Sequence, residues 1–370
     1  MTDKPAVVWF ADMQTSGGNS LEEKTDRILE RANFNGFIKK KEFVAVKVHV
    51  GERGNLGYLS HNFCRVIVDR LKLKESRPYL TDTCTLYSGG RHNAVDHAVT
   101  AIQHGYTYES TGAPFIPADG LRGHDYEEIG FDGKRIKKAK IASGILKADK
   151  IVFLTHFKGH LSVGFGGTLK NLGMGCASSA GKKEQHSDSK PVILANACTG
   201  CRQCFLACPE QAIVMTNGIA VIDYQKCVGC GQCVAVCNYN SAQVKWDSGG
   251  REFIEKVCEY ASAVDQRFRG KAFYLNFAVN ITPDCDCWGQ NDAPIVQDAG
   301  IFGSFDPFAL EKATFDAVNR SPVNPASRHS AGLGKSANVF HDLRPHIPSD
   351  HVFEYLRTLG HNLDYTIEKV

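Results

Sequence analysis

The sequence predicts an α/β protein of two lobes interrupted by a small cysteine-rich α+β insert. Three observations carry this. Apolar, β-prone runs alternate with amphipathic helical stretches on both sides of the chain's middle, the pattern of a largely parallel sheet covered by helices. Eight of the 14 cysteines fall in two near-identical runs between Cys198 and Cys237. At 370 residues the chain exceeds what one core usually holds. The expected bounds are 1–187 for the N-terminal α/β lobe, 188–247 for the insert and 248–370 for the C-terminal α/β lobe.

The elements follow in order. Ala6 to Met13 reads as a strand. Leu21 to Phe34 reads as a helix, because Leu21, Ile28 and Leu29 recur at helical spacing behind Ser20 as N-cap. Phe43 to Val50 is strongly β-prone and stops at Gly51. Asn62 to Leu73 is helical, Pro78 to Thr81 a short strand, Arg91 to His104 helical, and Ile151 to Leu154 a short buried strand. The polar stretches Lys182 to Lys190 and Asp247-Ser248-Gly249-Gly250 set off the insert. Beyond it, Arg251 to Arg269 reads as a helix and Ala272 to Ile281 as a strand. Asp306-Pro307 pairs an N-cap with proline at the first helical position and opens a helix from Phe308 to Val318. Ser321 to Ser336 reads as loop, and His351 to Leu359 as a last helix stopped by Gly360.

Composition narrows the function classes. The formal charge of +3 is too small for a nucleic-acid binder. Lys39-Lys40-Lys41 and Lys134 to Lys140 read as solvated surface, with docking of an acidic redox partner as the alternative. No apolar run is long enough to cross a membrane. Met1 to Pro5 passes directly into the short run Ala6 to Phe10, without the layout of a secretory signal. Cysteines in that context predict a cytoplasmic protein whose reduced thiols serve as metal ligands.

The cysteine runs are Cys198-x-x-Cys201-x-x-Cys204-x-x-x-Cys208-Pro209 and Cys227-x-x-Cys230-x-x-Cys233-x-x-x-Cys237. Two-residue gaps let three consecutive thiolates curl around three irons of a [4Fe-4S] cluster, and the fourth ligand comes from the other run. The expected sets are Cys198, Cys201, Cys204 with Cys237, and Cys227, Cys230, Cys233 with Cys208. Zinc or unliganded thiols are the alternatives, but a zinc site needs only four ligands and leaves the interlocked spacing unexplained. Asn217-Gly218, between Ala212 to Met215 and Ile219 to Ile222, is a hairpin signal. Residues 196 to 240 resemble bacterial two-cluster ferredoxins, which makes the insert a bacterial-type two-cluster ferredoxin domain by resemblance. Asn238 stands where the first run has Pro209.

Two further constellations stand outside the insert. Thr155 to Cys176 combines His156, His160 and Lys170 with six glycines, directly after a strand. At that carboxyl end, glycine amides could cradle an anion, histidine could ligate a metal or move a proton, and lysine could serve as cation or nucleophile. Thr282-Pro283-Asp284-Cys285-Asp286-Cys287 also follows a strand. Cysteines two apart share a side in extended geometry and could hold a metal, or could be inert buried thiols. Asp306 is explained by capping; Asp298 has no assigned role.

The segments His160 to Cys176, Thr282 to Cys287 and Asp298 to Pro307, with the ferredoxin pattern between them, resemble the ferredoxin-containing branch of domain-of-unknown-function family three-six-two. A shorter stretch resembles the nickel-pincer lactate racemase family. His160 precedes Lys170 by ten residues and Lys170 precedes His186 by sixteen, and Phe165-Gly166-Gly167-x-x-Lys170 is similar. That resemblance implies that the lysine anchors a cofactor and the second histidine ligates a metal.

The expected function is an iron–sulfur redox protein. Two [4Fe-4S] clusters would relay electrons from a redox partner protein to a small-molecule or metal site between the lobes. His49, His160 and Lys170 are the candidate catalytic residues there. His186, Cys285 and Cys287 are candidates for an additional metal or small cofactor. A dedicated electron carrier and a racemase-like metal-dependent isomerase are the alternatives.

Overall fold

The structure is a computed structural model that describes residues 4–87, 89–186, 190–229, 232–237, 239, 241–244 and 249–370. Its frame is a seven-stranded sheet formed by β1 (Ala6–Ala11), β2 (Phe43–Val48), β3 (Arg77–Thr81), β4 (Lys150–His156), β5 (Ala272–Ala278), β6 (Gly300–Ser304) and β7 (Tyr365–Lys369). The order is β7-β1-β6-β5-β4-β2-β3. β6 runs antiparallel to both neighbours, and the other pairings are parallel, so the sheet is mixed.

This corrects the expectation of two lobes. β4, from before the cysteine runs, pairs directly with β5, from after them, in register from Ile151↔Ala272 to His156↔Phe277. The cysteine-rich segment lies within the connection between two neighbouring strands of one sheet. Alternation in a sequence reveals that strands exist but not which ones pair.

Side-chain alternation builds a core on each face. On one face Val44, Val46, Val48, Val152, Leu154, Phe273, Leu275 and Phe277 pack with Ile28, Phe63, Ile67 and Leu71 of helices Leu21–Arg31 and His61–Leu73. On the other, Ala45, Ile151, Phe153 and Tyr274 meet Phe253, Val257 and Leu310 of helices Gly249–Arg267 and Pro307–Arg320. Near-continuous apolar strands are the consequence of burial on both sides.

Local chemistry sets the boundaries. Ser20 and Glu23 close a capping box on Leu21–Arg31, and the helix stops before Phe34 because Asn33 sits in the left-handed region at φ 51°. Asp306 Oδ1 accepts from the amides of Phe308 and Ala309, both at 2.9 Å. The expected polar linker from Lys182 is instead the second half of helix Ser179–His186. Lys182 is buried there because its ammonium donates to Thr83 Oγ1, Cys84 O and Ala177 O at 2.5–2.8 Å.

The cysteine-rich segment is closed at its base by Pro191–Ile193 pairing antiparallel with Ala242–Val244. Within it, Ile213–Thr216 and Ile219–Ile222 form the expected hairpin, with Asn217 and Gly218 both at positive φ as a tight two-residue turn requires. Among the described residues its buried core is Ile213, Ala220, Ile222, Cys233 and Ala242. The expected segment bounds, 187/188 and 247/248, lie outside the described residues.

Candidate functional site

β2, β3, β4 and β5 run in one direction, so their carboxyl ends lie along one edge, where α/β sheets present ligand sites. A cavity of about 920 Å3 opens at that edge. His49 reaches it from the end of β2, Asp82 from the end of β3, His156 from the end of β4, and Cys285 and Cys287 from the segment after β5. His160, Lys170 and His186 line it too. His49, His160, Lys170, His186, Cys285 and Cys287 therefore share one cavity.

The Gly/His/Lys stretch is not a loop. Lys158–His160 and Gly164–Gly166 form a short hairpin, followed by helix Thr168–Gly173. Close packing fixes two of its glycines, Gly159 and Gly167. A Cβ on Gly159 would lie 2.1 Å from Pro283 O, and one on Gly167 would lie 2.3 Å from a Glu311 carboxylate oxygen. That carboxylate accepts from the amides of Thr168 and Leu169.

The hairpin aims His160. Its Nδ1 accepts from Ser162 N at 3.0 Å and Val163 N at 3.3 Å, so in the neutral ring Nε2 carries the proton. Burial and then the Lys170 charge push its pKa well below the usual histidine value, which keeps the ring neutral. Such a ring is a hydrogen-bond donor at Nε2 and a poor metal ligand there.

Cys285 and Cys287 are free thiols. The expected extended geometry is replaced by a turn, in which Trp288 N donates to Cys285 O at 3.2 Å. Asp286, between them, points into the protein, where its carboxylate meets His156 Nδ1 at 3.0 Å and Lys158 Nζ at 3.1 Å. This anchoring leaves both cysteines lining the cavity. Lys170 Nζ stands 3.7 Å from Cys287 Sγ, and His49 Nε2 stands 3.4 Å from it. The bond from Cys285, with the charges of Lys170 and His49, holds Cys287 well below the ordinary thiol range against its burial. That same bond, with burial, raises Cys285. Burial opposes the Lys170 charge, but the Cys287 and Cys285 sulfurs outweigh it and raise its pKa. For His186, burial and then Lys170 push the pKa down to about 4, and its ring lies 4.6 Å from that of Phe253.

Other charges on the wall have no direct sequence cue. Lys47 meets Asp82 at 2.7 Å, Arg91 meets Glu52 at 3.2 Å, and Arg344 pairs with Asp284. Six cationic side chains line the cavity (Lys47, Arg91, Lys158, Lys170, Lys182, Arg344); four of them pair with Asp82, Glu52, Asp286 and Asp284, and among the described residues Lys170 and Lys182 have no carboxylate partner. One signal existed: Lys47 is a lone charge in an otherwise apolar strand.

The cysteine runs lie beside this cavity. One small void is lined by Cys198, Cys201, Cys204 and Cys237, and a second by Cys208, Cys227 and Cys233. Cys230 lies outside the described residues. Backbone amides point at the sulfurs: Ala220 N at Cys198, Ala212 N at Cys208 and Ala242 N at Cys237, at 3.2–3.5 Å. The amides of Ala220 and Gly200 lower the Cys198 pKa. Gln232 lines both the second void and the large cavity, which Gly229 and Val236 also border. Among the described residues, no three His, Cys, Asp or Glu side chains already converge on one ion position. Cluster thiolates each bind a different iron and stand apart around a cubane, so convergence on a point is not what they require.

Cys64, Cys84, Cys176 and Cys258 are buried away from both voids, and burial raises each of their pKa values, that of Cys176 to about 12. Asp298 accepts from Asn280 N at 2.6 Å.

Among solved structures, the chain is similar to the lactate racemase apoprotein from Thermoanaerobacterium thermosaccharolyticum, at 14% identity and a TM-score of 0.40, covering 74% of this chain and 51% of that one. It is also similar to a protein from Thermotoga maritima, at 12% identity and a TM-score of 0.39, covering 71% and 52%. The chain thus spans about half the length of the solved structures it matches. No curated protein matches it. A family model described as Domain of unknown function (DUF362) matches residues 44–316, and the chain belongs to that family.

Proposed function

We propose that this chain is an iron–sulfur oxidoreductase whose cysteine-rich segment is an inserted ferredoxin domain with two [4Fe-4S] clusters, serving a small anionic substrate in the cavity. The observation that carries the reading is the crossed lining of the two voids. Cys237 joins the first run at one, and Cys208 joins the second run at the other, as the spacing requires. The clusters, when bound, supply one-electron transfer. A redox partner protein supplies the electrons, and a reducing, cytoplasmic setting preserves the thiols.

The protein's own groups do the rest. The excess of cations favours an anionic ligand. Lys170 holds a positive charge beside the reactive sulfur. His160, neutral with Nε2–H free of the two backbone contacts, offers a hydrogen bond to the ligand. Gln232 and Gly229 bring the second cysteine set to the wall.

The test is anaerobic purification with iron and sulfide analysis. About eight of each per chain is expected. Far fewer after reconstitution overturns the reading. His160→Ala and Lys170→Ala should abolish turnover while leaving the cluster spectra unchanged.

A second reading, a racemase-like isomerase, is favoured by one observation: His160, Lys170 and His186 line the same cavity. The neutral His186 ring suits a metal ligand, but the nearby sulfurs keep Lys170 charged, which opposes its use as a covalent anchor. Nickel in the purified protein, or an adduct on Lys170 by intact mass, would select it.

A further inference from the structure

We propose that Cys285 and Cys287 form a dithiol/disulfide couple that gathers electrons two at a time and passes them to a small anionic disulfide bound in the cavity. The inference rests on the iron–sulfur reading for its electron source. Its own ground is geometric.

Three features make the pair a couple and not two separate thiols. The turn is pinned from behind by Asp286, whose side chain is held by His156 and Lys158 and whose carbonyl accepts from Glu52 N at 2.9 Å. With the middle residue fixed, both cysteines line the same cavity from one short turn. The pair is also asymmetric. Cys287 has an ammonium at 3.7 Å and an imidazole at 3.4 Å, whereas Cys285 is only 3% exposed. This is the division of labour of an attacking and a resolving thiol, because the thiolate is the nucleophile. Finally, the sulfurs face a cavity that Gly229 and Gln232 of the second cysteine run also line. Cys64 and Cys258, by contrast, sit in the apolar cores.

The steps balance. In charging, the Cys285–Cys287 disulfide would take one proton and two electrons, which clusters held by the two cysteine runs would supply one at a time. The S–S bond breaks, Cys287 is left as thiolate and Cys285 takes the proton. In discharge, Cys287 Sγ attacks the substrate disulfide and forms a mixed disulfide, releasing one substrate thiolate. Cys285 Sγ then attacks Cys287 Sγ and closes the protein disulfide. The second substrate sulfur leaves with the Cys285 proton. One disulfide is reduced and one is formed. A one-electron supply thus becomes a two-electron reduction.

The test uses the anaerobically purified, cluster-loaded protein. It is equilibrated in dithiothreitol redox buffers, acid-quenched, alkylated and digested with trypsin. Peptide 272–312 carries Cys285 and Cys287 and no other cysteine. The expected result is a peptide two hydrogens lighter and unalkylated at the oxidising end, converting to a doubly alkylated one at the reducing end. If both cysteines stay independently alkylatable throughout, the couple is refuted. A second arm oxidises the pair and adds a one-electron reductant. Re-reduction should slow about tenfold or more when Cys233→Ser removes a proposed cluster ligand. If the couple forms but its reduction ignores that substitution, the couple stands and the iron–sulfur supply falls. A third arm compares oxidised glutathione, an anionic disulfide, with cystamine, a cationic one. Exchange about tenfold or more faster with glutathione is expected from the cationic lining, and equal rates would overturn the substrate class.

Discussion

The cysteine-rich segment and the sheet-edge cavity hold their chemistry by opposite plans. Between Pro191 and Val244, the reactive side chains come from two short local runs over a core of a few residues, among them two cysteine-lined voids. The cavity draws on positions from Lys47 to His346, placed by a sheet with a large core on each face. Among the described residues the first region has a small apolar core, so bound clusters would contribute its rigidity, as metal binding contributes folding free energy in small metallo-domains. The second is fixed by packing before any ligand arrives. A local motif can therefore depend on its cofactor, while a dispersed site depends on its fold.

The strongest way to break this contrast is Cys233→Ser. If the segment depends on its clusters, iron should fall from about eight to about four per chain. The urea unfolding of the central sheet, followed by far-UV circular dichroism, should shift by less than about 0.5 kcal/mol. Collapse of the whole fold would show that the two regions are one cooperative unit. The reciprocal change is Phe153→Ala, in β4, where the ring is fully buried and stacks on Tyr274 at 5.1 Å. It should cost about 3–5 kcal/mol, with iron per folded chain unchanged.

A smaller effect probes how the fold places the site. Asp286→Asn leaves Lys158 and His156 buried without their carboxylate, at a cost of about 3 kcal/mol. It should also loosen the turn, so that iodoacetamide labels Cys285 as readily as Cys287. Lys170→Met acts on one sulfur only. Loss of the ammonium 3.7 Å away should raise the Cys287 pKa and slow its alkylation at pH 7 about tenfold. An unchanged rate would mean that Cys285 and His49 suffice to hold the thiolate.

Legibility in the sequence followed the same division. The cysteine runs could be read because gap lengths alone determine which thiolates reach one cluster, and Asn217-Gly218 marks its hairpin without tertiary help. At the cavity, sequence gave residue types but not company. His49, His160, Lys170, His186, Cys285 and Cys287 stood out. Asp82, Arg91 and Arg344 did not, because an isolated charge in a turn looks solvated until the fold buries it. Lys182 reads as part of a polar linker for the same reason, although it lies in helix Ser179–His186. β6 escaped notice because Gly300 and Gly303 lower its strand propensity, and Gly303 is needed where Ile28 presses against the sheet at 2.5 Å from a would-be Cβ. Gly159 and Gly167 admit neighbouring backbone and side chains.

The smallest expected effect concerns His97, which separates fold from site in a single residue. It is fully buried in helix Ala94–Gln103, 3.7 Å from Asp82, and among the described residues neither ring nitrogen has a hydrogen-bond partner. Burial is the main cause that pushes its pKa down to about 3, against the pull of Asp82. The folded state thus stays unprotonated where the unfolded chain already binds a proton. This group costs nothing above the unfolded value near 6.5 and weakens the fold as pH falls from there toward 3. The loss at pH 5.5 should be about 1 kcal/mol. His97→Leu should flatten the stability profile between pH 7 and 5.5 in urea titrations, while peptide 272–312 keeps its thiol chemistry. If the slope persists, the acid sensitivity belongs to other groups. If the thiol chemistry changes as well, Asp82 and its partners couple core to cavity, and the separation between the packed frame and its reactive edge fails at this point.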